Sequence, residues 1–264
     1  LIEPSTETSA GHSGTSEDAV LGGRLVLRQP LRGHRFGHDA ILLAAAVPAQ
    51  PGEEAVEFGA GVGAAGLALA RRIDGLGLTL VEIDPVLTAL AQGNAARNGL
   101  APRARAVCLD VAATAAAFVA VGLAPESADH VLMNPPFNAP QNPSPDRGRR
   151  VARTASHETL TVWLRTAARL LRPTGVVTLI WRADGLADVL AALAAEFGAV
   201  SVLPIHPKPG VAAIRVLVRA AKGRDGPLSL LSGFVLADAD GKPSAAAEAV
   251  LRNGAAVPFL MSES

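Results

Sequence analysis

Cysteine is nearly absent from this sequence: Cys108 is the only one in 264 residues. A single thiol excludes any disulfide within the chain and fits a reducing compartment. Its place at the end of an apolar run predicts a packed thiol rather than a nucleophile. Lysine is almost as scarce, with Lys208, Lys222 and Lys242 the only three, so arginine carries nearly all of the basic charge. Net charge is missing as well. With 24 basic residues against 24 acidic ones, overall charge announces neither a nucleic-acid nor a membrane partner. The longest mostly apolar run, Val111 to Ala124, is alanine-rich and falls short of the roughly 18–20 residues needed to span a bilayer. The opening residues, LIEPSTETSAGHSGTSEDA, have neither the basic start nor the apolar middle of a secretory signal. The expectation is a soluble, cytoplasmic protein with no membrane contact, no metal site and no obligate protein partner.

What is present is apolar bulk and alternation. Hydrophobic residues make up 49% of the chain, enough for one large core. Strand-like runs at Glu54–Phe58, Leu78–Ile83, Arg105–Leu109, Asp129–Met133 and Gly175–Trp181 alternate with helical stretches near 64–73, 85–98, 111–120, 157–171 and 184–197. A further helix is predicted from His38 to Val47, ended by Pro48 and Pro51. Such alternation needs crossovers, so a mostly parallel α/β sheet covered by helices on both faces is predicted. VSVLPIH and AAIRVLVRA, either side of a Pro/Gly loop, read as a closing antiparallel pair. Residues 1–18 read as a disordered tail, 19–225 as the main domain, and 226–264 as an extension packed on it whose last residues are loose.

The first strand runs into VEFGAGVGAAGLALA. Gly61, Gly63 and Gly66 match G-x-G-x-x-G, and Glu82 follows about twenty residues later, which is also the dinucleotide fingerprint. Glu57 weighs against a diphosphate ligand, because a carboxylate there opposes an anion. It suits the ammonium or sulfonium end of S-adenosylmethionine. Glu57, Gly59, Gly61, Gly63 and Glu82, together with Ile83 beside it, are therefore candidate cofactor-binding residues. Asp110 is another, able to accept from the adenine amine or to cap a following helix. Asp39 is read as a helix N-cap or as a cofactor-side residue.

The fourth strand stops in Asn134-Pro135-Pro136-Phe137. Asparagine oxygen and a proline-fixed carbonyl can both accept from a planar amine, and an aromatic ring can stack on its base. These four are the candidate catalytic residues. Beyond them, NAPQNPSPDRGRRVARTASHE reads as a long loop whose Arg147, Arg149, Arg150 and Arg153 are candidate phosphate contacts. Lys208, Arg215, Arg219 and Lys222 add a second basic patch.

The segments LGGRLVLRQPLRGHRFGHDAILLAAAVPA, VEFGAGVGAAGLALARRI, LVEIDPVLTALAQGNAARNGL and DHVLMNPPFN resemble the valine-tRNA adenine amino-methyltransferase family. The likeness runs from about Asp18 to Ala221. It implies a Rossmann-like class I fold with a seven-stranded, mostly parallel sheet and an antiparallel last strand. It also implies S-adenosylmethionine held by Glu57, Gly59, Gly61, Glu82 and Asp110, and an RNA partner, tRNA. The Asn-Pro-Pro-Phe set is shared with glutamine amide methyltransferases. A protein amide therefore stays open as acceptor, as does a catalytically silent cofactor-binding module. A nicotinamide oxidoreductase ranks behind these because of Glu57.

Overall fold

Two residues per pleat and a helix-length spacer between strands dictate the architecture. The computed structural model describes residues 14–32, 35–136 and 147–259, and over 147–157 the backbone alone. It opens with β1 (Thr15–Val20) and β2 (Leu25–Pro30), an antiparallel hairpin, and α1 (His38–Ala46). The repeating unit follows: β3 (Glu54–Phe58), α2 (Ala64–Arg72), β4 (Gly77–Glu82), α3 (Pro85–Arg97), β5 (Ala104–Cys108) and α4 (Ala115–Ala120). Then come β6 (Ala128–Met133), α5 (Arg147–Leu170), β7 (Leu171–Arg182), α6 (Leu186–Leu193), β8 (Phe197–His206) and β9 (Arg215–Lys222). The chain closes with β10 (Ser229–Leu230), β11 (Phe234–Val235) and α7 (Ala245–Leu251). No described helix is long and apolar enough to cross a membrane.

The sheet runs β5-β4-β3-β6-β7-β9-β8, with β9 antiparallel to both neighbours. The order reverses between β3 and β6, which pair in parallel with Phe58 beside Met133. At such a switch point two connections leave in opposite directions and open a cleft outside the C-terminal strand ends. Strand alternation sorts the core into two layers. Ala55, Leu80, Leu132 and Ile180 face α1, α2, α3 and α7, while Val56, Phe58, Val131, Met133 and Leu179 face α4, α5 and α6.

Several expectations are corrected. Among the described residues the sheet has nine strands rather than seven, because β10 and β11 both add in parallel to β8. Thr15–Asp18, read as disordered tail, already belong to β1. The helix expected over 111–120 starts only at Ala115, capped by the Thr114 hydroxyl, which accepts from the Ala117 amide. Cys108 is exposed at the top of edge strand β5, not packed.

The hairpin is fastened by two asparagines one helical turn apart on α3. Asn94, fully buried, accepts from the Arg28 amide at 2.8 Å and donates to the Arg28 carbonyl at 2.9 Å and the Val62 carbonyl at 3.0 Å. Asn98 does the same for Val26, at 2.9 Å and 2.8 Å. The two side chains thus replace a third strand along alternate residues of β2, and Asn94 also holds the glycine loop at Val62. Helix α1 is buried from Ala40 to Ala46, so its last carbonyls need donors. Arg72 reaches the Ala44 and Val47 carbonyls, and Arg219 that of Ala46. Arg219 is also stacked on Phe259, and burial with the nearby Arg72 charge pulls its pKa down to about 10.

Truncating Asn94 to alanine strips partners from three backbone groups, only partly reachable by water. Chemical denaturation of Asn94→Ala should show a loss of about 1–3 kcal/mol. Stability equal to the parent's would mean that the amide does not anchor the hairpin.

Candidate functional site

The glycine loop follows directly from β3. Gly59, Gly61 and Gly63 have φ of 63°, 56° and 85°, left-handed values that residues with a Cβ rarely adopt. The loop thereby turns tightly enough for α2 to start at Ala64. Gly66, one turn in, is required for a different reason: a Cβ there would lie 2.5 Å from Leu80 and 2.6 Å from Glu57 Oε2. Helix and strand touch at that point, and the contact brings the Gly66 amide to 2.7 Å from Glu57 Oε2. Glu57 sits under the loop, buried, on the α2 side of the sheet. Desolvation, with the neighbouring Glu82 charge adding to it, raises its pKa from 4.5 to about 8, although the Gly66 bond opposes the rise.

Glu82 closes the loop from β4. Its Oε2 accepts from the Gly61 amide at 2.7 Å and its Oε1 from the Asp84 amide at 2.9 Å. Ile83 follows and stands 62% exposed, a bare apolar surface at the strand end. Asp110, beyond β5, accepts from the Ala112 amide at 2.8 Å and caps a turn, not the helix. Glu57, Gly59, Gly61, Gly63, Glu82, Ile83 and Asp110 therefore meet at the C-terminal ends of three adjacent strands.

Asn134 follows Met133 at the tip of β6. Its Oδ1 is buried and has no hydrogen-bond partner among the described residues. Met133 itself pairs with Phe58, the last residue of β3. Pro135 is buried and Pro136 exposed. Phe137 lies outside the described residues.

Other candidate residues are placed differently from the sequence expectation. Asp39 is not the N-cap of α1; Gly37 holds that position, and Asp39 in the first turn pairs with Arg215 Nε at 2.8 Å. Arg147, Arg149, Arg150 and Arg153 are not on a loop. They occupy the first turns of α5, which begins ten residues earlier than expected. The second basic patch dissolves. Arg215 is tied to Asp39, Arg219 to α1 and Phe259, and Lys222 to Glu126 at 3.1 Å and the Leu171 carbonyl at 2.7 Å. Two residues at the loop escaped the sequence reading. Asn94 is one, and its i, i+4 spacing to Asn98 on a helix was the available signal. Trp163 is the other, a large aromatic in an otherwise aliphatic stretch of α5, set edge-on to Phe58 with ring centroids 6.2 Å apart.

The raised Glu57 pKa has a sign that can be checked. Between pH 4.5 and about 8 the folded chain keeps a proton on Glu57 that the unfolded chain has released. Stability from this group is therefore complete at the acid end and lost as pH rises toward 8. Urea denaturation of the ligand-free protein across that range should show this fall, and Glu57→Gln should be flatter. Identical pH slopes for parent and variant would refute the assignment.

Similarity to known proteins agrees with this geometry. The family described as Methyltransferase small domain matches residues 35–208, spanning the glycine loop and Asn134. A tRNA1(Val) (adenine(37)-N6)-methyltransferase of Bacteroides thetaiotaomicron is 27% identical over 195 residues, 73% of this chain and 78% of that protein. Another, of Porphyromonas gingivalis, is 30% identical over 159 residues, 59% of this chain and 61% of its own length. A solved structure from Agrobacterium tumefaciens, described as a predicted O-methyltransferase, superposes with a TM-score of 0.72 at 28% identity. That match covers 85% of this chain and 100% of the other. TrmN from Thermus thermophilus shares the fold, with a TM-score of 0.50 at 22% identity over 69% of this chain and 47% of that one. With the class I strand order, the open glycine loop and this match, the chain belongs to the methyltransferase small domain family and is an S-adenosylmethionine-dependent methyltransferase.

Proposed function

We propose that this chain methylates the exocyclic amine of an adenine in RNA, and that the RNA is a tRNA. The observation that carries the reading is the buried, unpartnered Oδ1 of Asn134. A buried acceptor left without a donor costs about 1–3 kcal/mol, a cost retained where the missing donor is a ligand. The relatives' names divide between an adenine nitrogen and an oxygen acceptor. An amide oxygen favours the nitrogen, since a hydroxyl acceptor would need a base to take its proton and an amide is too weak a base for that. The tRNA part of the reading is supported by the names of the Bacteroides and Porphyromonas relatives.

The residues present fit the cofactor. Among the described residues no atom beyond its chain neighbours lies within 4 Å of where a Cβ on Gly61 would stand, leaving that face of the loop open. Glu82 would take the ribose hydroxyls, Ile83 the adenine face, and Asp110 the adenine amine. Glu57, under the loop, would favour a positively charged ligand once ionised. Asp39 is better read as the anchor of Arg215 than as a ligand contact. When bound, the cofactor supplies an electrophilic methyl group.

The chain's own groups then act on the acceptor. Asn134 Oδ1 and the Pro135 carbonyl accept the two amine hydrogens and fix the direction of the nitrogen lone pair. The same bonds strengthen as that nitrogen becomes tetrahedral and gains positive charge, so they favour the transition state over the ground state. Pro135 and Pro136 have fixed φ, so the acceptor carbonyl is oriented in advance. In this reading Phe137 stacks on the base. The excess proton leaves to water, and no tuned general base is required. Arg147, Arg149, Arg150 and Arg153 lie just beyond the catalytic segment in sequence and are assigned to RNA phosphates.

Labelled cofactor should transfer its methyl group to a nuclease-sensitive fraction of total RNA, with N6-methyladenosine as the product nucleoside. Label appearing instead in protein would identify a glutamine amide as the acceptor. Asn134→Ala should lower kcat by about 10²–10³ with cofactor affinity intact. Because it deletes an unpaired acceptor, its thermal stability should equal or exceed the parent's. Turnover at the parent rate would rule out the amine-acceptor role.

Replacing Arg147, Arg149 and Arg150 together with alanine should weaken RNA binding and flatten its dependence on salt, each lost phosphate contact removing about one unit of slope. An unchanged slope would move the RNA to another surface.

A further inference from the structure

The glycine loop is not only open; one face of it is occupied by a side chain with no assigned role. Gly59 is exposed, and a Cβ placed on it would meet Trp163 Cη2 at 2.6 Å and Cζ3 at 3.2 Å. The six-membered edge of the indole therefore rests on the backbone that follows β3. Phe58 supports it from below, nearly perpendicular at 85°. Phe58 is itself edge-on to Phe118, with ring centroids 6.3 Å apart, so the indole stands on a rigid aromatic stack. Trp163 nevertheless remains only partly buried, whereas its neighbours Leu160, Leu164 and Ala167 on α5 are buried.

The strand register locates this ring relative to the chemistry. Phe58, on which the indole packs, pairs with Met133, the last residue of β6 before Asn134. The indole thus stands at the C-terminal end of β3, one strand away from the β6 tip that carries Asn134. A structural tryptophan would be expected to bury its ring with the rest of the α5 face. This one is held by its edge at an exposed glycine, where a planar molecule entering the cleft would meet it.

We propose that Trp163 is a specificity-determining wall of the acceptor site, against which the flat group carrying the amine packs while Asn134 holds its hydrogens. This inference rests on the methyl-acceptor reading given above and extends it by one residue. Stacking on an aromatic face tolerates different flanking sequence, because every base has a π-face. Trp163 would therefore set acceptance of a planar group, and the arginines would set the position of the strand.

Trp163 and Trp181 are the only tryptophans, so the full-length Trp181→Phe protein reports on Trp163 alone. Unmodified tRNA should quench its emission, and S-adenosylhomocysteine alone should not. Trp163→Ala should raise KM for the tRNA roughly tenfold or more, the effect of losing one stacked base. Its affinity for S-adenosylhomocysteine by calorimetry should be unchanged, and Trp163→Phe should recover most of the lost KM. An unchanged KM, or a loss that falls on the cofactor instead, overturns the proposal while leaving RNA methylation standing. If the parent protein transfers no methyl group to RNA, the RNA reading itself falls, and the Trp163 inference falls with it.

Discussion

A carboxyl group buried beneath a glycine loop is the constraint around which this site is arranged. Glu57 takes the Gly66 amide at the start of α2, and Gly66 must lack a side chain for that bond to form. Strand β3 and helix α2 are therefore drawn together at one hydrogen bond. The loop between them has no choice but to turn through three left-handed glycines. Glu82 then closes the loop from the neighbouring strand through the Gly61 amide. Burial makes ionisation of Glu57 costly, and the Glu82 charge nearby adds to that cost. An arrangement that is electrostatically unfavourable when empty is one that a cation relieves.

The second half of the site has the same logic in neutral form. Asn134 keeps a buried acceptor without a donor, at the point where β6 leaves the sheet. Both features lie at the reversal of strand order, where β3 and β6 hand over to α2 and α5 on opposite faces of the sheet. Stability is given up twice on two adjacent strands, once as a proton-holding acid and once as an unpaired oxygen. Such losses are tolerable because the two layers on either side of the sheet are otherwise fully packed.

Local signals made the inner strands legible. Glu54–Phe58 is bounded by glycine on both sides, and its expected limits match those observed. The glycine loop and Asn-Pro-Pro turn were equally readable, since each is a contiguous stretch with strict backbone demands. What could not be read depends on partners remote in sequence. The β1–β2 hairpin is held by Asn94 and Asn98, some seventy residues away, so β1 had no strand signature of its own. Arg215, Arg219 and Lys222 looked like a free basic face until Asp39, the end of α1 and Glu126 came to meet them. The start of α5 was hidden for another reason: 147–157 is arginine-rich, follows a proline-dense segment and lacks an apolar stripe. Helix propensity was present there without the periodicity that usually announces it.

The way Asn94 and Asn98 grip the hairpin has a consequence for how this chain can vary. Their bonds end on the main chain of Val26 and Arg28, and nothing in them consults the side chains at those two positions. Attachment is therefore separated from surface identity. Mutational drift at the outward positions of β2 can recolour the rim beside the cleft, from basic to acidic or polar, while the ribbon stays in register. A lineage adapting to a different macromolecular substrate has a patch to rewrite there that costs the scaffold little. Loss of either amide, by contrast, removes the mounting and the patch together.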